Sequence, residues 1–174
     1  MKLRCDLHIN GENRKLLLVP GPNELDSRLA LKLAGYLLFW KFEPKVDASV
    51  KTPALARFEF LPDLVGLDEG GEIVLWVDCG TTTMNKLDKL IKRLPYARIV
   101  VIKENEREAL RLRKDAESAL EKHARVEILA FEGTQFKEWL SCVGEKTEVF
   151  GESEGLLINA VVNEHPVVAN LKTF

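Results

Sequence analysis

The sequence has 174 residues, 46% of them hydrophobic and 30% charged, with a formal net charge of −2. That length suits a single domain over residues 1–174 that buries about 70% of its unfolded surface, and the composition excludes wholesale disorder. The charge balance excludes a strongly basic polyanion binder, and no window approaches ~18 consecutive apolar residues, so no contact with membrane is expected. The opening stretch MKLRCDLHING scatters charges through a short segment without an apolar core, unlike a secretory leader. Cys5, Cys79 and Cys142 are far apart and lack any C-x-x-C spacing, which suggests neither a disulfide framework nor a zinc site. A reducing, cytoplasmic setting is the expectation.

Lys2 to Ile9 alternates polar and apolar residues as a half-buried strand does, Asn10-Gly11 is a turn signal, and Arg14 to Val19 returns as the second arm of a hairpin. Pro20-Gly21-Pro22-Asn23 ends the hairpin. Asn23 is the expected N-cap of a helix, with Glu24 and Asp26 in its first turn and Leu25, Leu29, Leu33 and either Tyr36 or Leu37 along one stripe. A short strand is expected within 46–50, and ARFEFL (Ala56 to Leu61) alternates as a strand leading into Pro62-Asp63. A glycine-rich reversal through Gly66, Gly70 and Gly71 then opens an apolar strand from Ile73 that ends on Asp78. Asp63 and Asp78 thereby fall near the ends of neighbouring strands. Paired carboxylates so placed are how proteins hold Mg²⁺ or Mn²⁺, which prefer hard oxygen ligands.

One of Thr81, Thr82 and Thr83 caps a helix over Met84 to Leu94, with Leu87, Leu90, Ile91 and Leu94 on its apolar face and Lys86, Lys89 and Arg93 on a basic stripe. Arg98 to Lys103 (RIVVIK) reads as a strand buried on both faces. A charged helix (Asn105 to Lys122), a strand (Arg125 to Phe131) and a short helix (Thr134 to Cys142) follow. Thr147 to Phe150, Leu156 to Val162 and Val167 to Leu171 form a small C-terminal set of strands. Met84 to Arg125 holds twelve Lys/Arg against seven Asp/Glu. That excess suits an approaching phosphate backbone, and it equally suits two helices with solvated charged faces. No G-x-x-x-x-G-K-[ST], G-x-G-x-x-G or G-x-S-x-G pattern occurs.

Pro62-Asp63 together with Asp78-Cys79-Gly80 resembles the paired acids of the PD-(D/E)XK nuclease superfamily. The helix PNELDSRLALKLAGYL and the strand end LWVDCG are similar to those of the YaeQ family within it. On that pattern Glu24 matches the family's glutamate, Arg28 and Lys32 its two basic positions, Asp78 its second acid and Gly80 its own glycine. The resemblance implies an α/β restriction-endonuclease-like core, in the order α-β-β-β-α-β. Helices would flank a central mixed sheet, and the N-terminal β-hairpin and the small C-terminal strands would be attached to it. It further implies Mg or Mn held by Glu24, Asp63 and Asp78 as catalytic residues, with Lys86 or Lys89 orienting water. Arg28, Lys86, Lys89 and Arg93 would contact nucleic acid, and the activity would be phosphodiester cleavage. Gly80, however, stands where the superfamily has its lysine. The alternative is therefore a non-catalytic nuclease-fold module that binds nucleic acid or a protein partner.

Overall fold

Asn10 and Gly11 both adopt left-handed backbone in the computed structural model, with φ of 53° and 78°, as a two-residue type I′ turn requires. The structure describes residues 1–174. The turn closes β1 (Leu3–Ile9) onto β2 (Glu12–Leu18) in the predicted antiparallel hairpin. There follow α1 (Asp26–Leu38), β3 (Lys45–Val46), β4 (Leu64–Leu67), β5 (Ile73–Cys79), α2 (Met84–Arg93), β6 (Arg98–Lys103), α3 (Glu106–Ala119) and β7 (Val126–Phe131). Beyond these lie α4 (Gln135–Cys142), β8 (Lys146–Glu154), β9 (Leu157–Val162) and β10 (His165–Thr173). No helix is long and apolar enough to cross a membrane.

The chain is mixed α/β, and all the strands join one sheet in the order β2-β1-β8-β9-β10-β7-β6-β5-β4-β3. Pairing is parallel at β1–β8, β5–β6 and β6–β7 and antiparallel elsewhere. Two burial patterns divide the sheet. Residues of β6 and β7 are buried on both faces: Val100, Ile102, Leu129 and Phe131 pack toward α1 and α4, and Ile99, Val101, Val126 and Ile128 toward α2 and α3. The strands β8, β9 and β10 alternate buried and exposed residues, so only their α1 side is covered.

Three expectations need correction. The hairpin and the C-terminal strands are not attachments to a separate core, because β1 pairs with β8, and β10 pairs with β7, within the same sheet. Local pattern reveals a strand but not its partner. Ala56–Leu61 is no strand, and β4 begins after Asp63 rather than leading into it. The alternation there has another cause: Phe58 and Phe60 turn inward onto Trp76, with ring centroids 5.2 and 5.9 Å away, while Arg57 and Glu59 face solvent. Asn23 is not a helix cap. It has φ 61°, α1 starts at Asp26 behind Leu25 with no side-chain cap, and Glu24 lies ahead of the helix.

Gly151 in β8 sits against the backbone of β9: a Cβ there would stand 2.2 Å from Asn159 O and 2.6 Å from Ala160 Cα. Gly151→Ala is therefore expected to cost about 2–3 kcal/mol, lowering Tm by about 4–12 °C in a chain of this size. At Gly70, where the nearest atom would be 3.4 Å away, the same change should stay within about 0.5 kcal/mol. Thermal denaturation of the two variants checks this, and equal losses would contradict it.

Candidate functional site

Arg28 and Lys32, four residues apart on α1, share one helix face, and Glu24 folds back over them from the turn ahead. The Gly21 N–H donates to Glu24 Oε2 at 2.8 Å and fixes that turn. The Lys32 side chain is only 3% exposed. Its Nζ lies 2.6 Å from Glu24 Oε1, 2.8 Å from Asp47 Oδ1 and 3.6 Å from Asp63 Oδ1. The contact with Glu24 is an ion pair without hydrogen-bond directionality, which leaves that buried oxygen with no directed donor. Arg28 Nη2 donates to both oxygens of Asp63, at 3.1 and 3.0 Å, and the Cys79 N–H donates to Asp63 Oδ2 at 2.7 Å.

These contacts fix the charges. Burial alone would raise the Glu24 pKa, but the Lys32 ammonium, the Gly21 N–H and Arg28 outweigh it and hold it below its ordinary value. Burial likewise disfavours charge on Lys32 and Arg28. The carboxylates of Asp47, Glu24 and Asp63 around Lys32, and Asp63 beside Arg28, overcome that and push both pKa values up.

Asp78 belongs to a different network. It shares a strand face with Trp76 and is 2% exposed. Its oxygens accept from Trp76 Nε1 at 3.1 Å and the Thr82 hydroxyl at 3.2 Å. Lys86, on α2, adds its Nζ at 3.0 and 2.9 Å. Burial raises the Asp78 pKa even against the Lys86 charge, and Asp63 adds repulsion. The expected triad is thus divided: Glu24 and Asp63 engage α1, Asp78 engages α2, and the two sets share no partner. No group of three or more His, Cys, Asp or Glu side chains is disposed to hold a metal ion. Lys89 and Arg93, expected at a nucleic-acid surface, are both paired with Glu59.

A cavity of about 650 Å³ opens beside α1, lined among others by Glu24, Arg28, Lys32, Asp63, Gly80 and Lys103. Asp47 and Lys103 were not anticipated. Asp47 sits at φ 47° in an irregular stretch that carries no motif. Lys103 ends β6, whose register sets Ile102 opposite Cys79, so Lys103 comes level with Gly80 and its ammonium donates to the Gly80 carbonyl. Only the parallel pairing of β5 and β6 reveals that neighbourhood. Burial, with Arg28 nearby, lowers the Lys103 pKa despite the opposing charge of Glu108.

The donor set does not fit a divalent ion as arranged. The place where Glu24, Asp47 and Asp63 converge is taken by the Lys32 ammonium, and the remaining acid of the expected set faces α2.

A family profile described as YaeQ protein matches residues 8–150. The chain belongs to the YaeQ family. Among solved structures, the crystal structure of YaeQ protein from Xanthomonas axonopodis pv. citri superposes with a TM-score of 0.74 at 18% identity, over 99% of this chain and 96% of that one. The YaeQ protein from Pseudomonas syringae gives a TM-score of 0.75 at 13% identity, over 99% and 94%. At such identities the likeness is one of fold. No curated protein matches the chain. The three helix-region residues on which the YaeQ likeness rests, Glu24, Arg28 and Lys32, all lie in the ion network beside the cavity.

Removing the central cation leaves carboxylates buried and unpaired. Lys32→Met is expected to destabilise the fold by about 3 kcal/mol, the lower end of the range for a broken buried pair, because Asp47 is 43% exposed and water screens it. Adding Glu24→Gln should recover part of the loss. Urea denaturation measures both, and a stable Lys32→Met would show that the cluster holds nothing together.

The pH dependence follows from the sign of each shift. Because Glu24 titrates below its ordinary 4.5 when folded, its stabilisation is complete above that value and disappears as pH falls through the folded pKa. Glu24→Gln should therefore lower stability at neutral pH and converge with the wild type at strongly acidic pH. Asp78, raised above 3.8, acts in the opposite sense: its ionised form weakens the fold above that value, and acid relieves it. Denaturation curves of Glu24→Gln across the acid range check the assignment, and a difference from wild type that does not depend on pH would refute it.

Proposed function

We propose that this YaeQ-family chain is a non-catalytic binding module whose cavity beside α1 receives a phosphate-bearing nucleic-acid strand without a metal ion. The observation that carries the reading is the Lys32 ammonium at the meeting point of Glu24, Asp47 and Asp63. A positive charge built into the chain occupies the place where a divalent cation would sit, and together with Arg28 it offsets two of the three acid charges there. Arg28 and Lys103 offer N–H donors to the same cavity. The segment from Lys45 to Thr52 contributes both to this cavity and to a second one, lined by Lys45, Lys51 and Arg57. A polyanion suits successive basic positions of that kind better than an isolated small ligand does.

A metal-dependent phosphodiesterase of the PD-(D/E)XK type is the second reading. The run α1-β3-β4-β5-α2-β6 has the corresponding α-β-β-β-α-β order, and Glu24 and Asp63 meet in one cavity. Labelled single- and double-stranded DNA and RNA, incubated with Mg²⁺ or Mn²⁺ beside Asp63→Asn, separate the two. Under the binding reading at least one substrate is retained, more weakly as salt rises, and none is cut. Metal-dependent cutting that disappears in Asp63→Asn would replace it with the enzyme. Failure to retain any of the four would leave a protein partner as the alternative.

A further inference from the structure

Lys103 and Arg28 both line the cavity beside Gly80, and no acid is paired with both of them. The Lys103 ammonium has one hydrogen-bond partner, the Gly80 carbonyl, and no carboxylate within ion-pairing distance. Glu104 and Glu108 line the same cavity and act on it from beyond ion-pairing distance. Arg28 engages Asp63 through Nη2 alone. Its Nη1 makes no hydrogen bond and lies 3.8 Å from where a Cβ on Gly80 would be. Gly80 itself has φ 85°, a left-handed conformation that leaves its side-chain direction empty toward that nitrogen. Thr81 lines the same wall.

Two cations held together in a half-buried cavity repel each other, and each keeps unused donors. An oxyanion between them would relieve the repulsion and accept charge-assisted hydrogen bonds from both. The acids nearby engage other atoms: Asp63 meets Arg28 Nη2 and Lys32, Glu24 meets Lys32 and Arg28 Nε, and Asp47 meets Lys32. Glu104 and Glu108 pair with neither cation, so Arg28 Nη1 and the Lys103 ammonium remain without an acid partner. Resting on the nucleic-acid reading above, we propose that Arg28 and Lys103 form an oxyanion subsite over Gly80 that takes one phosphoryl group of the bound strand. The glycine serves by having no side chain in the space the phosphate enters. Recognition is of the tetrahedral anion, so free phosphate uses the same donors.

The test titrates inorganic phosphate and, separately, a single-stranded oligonucleotide into the wild type, Lys103→Gln, Lys103→Arg and Lys92→Gln. Calorimetry reads affinity and thermal melting reads folding. Lys103→Gln keeps a donor for the Gly80 carbonyl but loses the charge, and should weaken both ligands by about tenfold or more. Lys103→Arg should retain most of the affinity, and Lys92→Gln, on the exposed face of α2 beside Asp88, should leave it unchanged. Phosphate bound equally well by Lys103→Gln, or not bound by the wild type at millimolar concentration, overturns the subsite even if the oligonucleotide binds. Phosphate binding that depends on Lys103 while no oligonucleotide binds upholds the subsite and removes the nucleic-acid reading in favour of a free phosphorylated ligand.

Discussion

One buried ammonium organises the end of the sheet at which the cavity opens. Lys32 would be costly to desolvate alone, by several kcal/mol in order of magnitude. It is accommodated because Glu24, Asp47 and Asp63 approach it from three separate irregular segments. None of those acids lies in a helix or strand, so the ion cluster is what gives them a common position. Asp63 passes that order to the backbone. Its N–H donates to Val77 O, its carbonyl accepts from the Asp47 N–H, and its carboxylate accepts from the Cys79 N–H. The charge cluster and the ladder at the end of β5 therefore support one another.

The same helix is seated by apolar contact along the rest of its length. Gly35 brings α1 close to the sheet, with Leu64 and Ile102 methyl groups 2.9 and 3.0 Å from the point where a Cβ would project. Trp139, fully buried on α4, donates through Nε1 to Ala30 O at 2.9 Å and ties the second helix of that layer to the first. Polar and apolar demands thus meet in the first half of α1. Its N-terminal half carries Arg28 and Lys32 to the cavity with Leu29 and Ala30 between them already in the core, and its C-terminal half is core throughout.

What could be read from the sequence was local. RIVVIK is a strand between the predicted limits, and Thr83 caps α2 through its hydroxyl, which accepts from the Lys86 N–H. Both features depend on neighbours within a few residues. The stretch 56–61 misled because inward-facing aromatics in irregular chain produce the same alternation as a strand. At the site, Glu24, Arg28 and Lys32 could be picked out from the YaeQ-like helix pattern, whereas sequence left Lys86 and Lys89 as equal candidates beside Asp78 and only the structure shows Lys86 there, with Lys89 on Glu59. The separation of Asp63 from Asp78 onto different partners could not be picked out, since it depends on which face each carboxylate takes at a strand end. Lys103 was hidden for a related reason: its place beside Gly80 is a fact of register between two parallel strands 23 residues apart.

The parallel pairing of β1 with β8 has a consequence for how the chain acquires its structure. The β1–β2 hairpin is local and can close early, but the inner edge of β1 has no partner until residues 146–154 are available to align with it. Joining them closes a loop that contains nearly every other element, and such long-range pairing forms slowly. Until then the hairpin exposes an open strand edge and the apolar face formed by Leu3, Cys5, Leu7 and Ile9. During synthesis this segment emerges well before the strand that covers it, which leaves it dependent on protection from other chains in the interval.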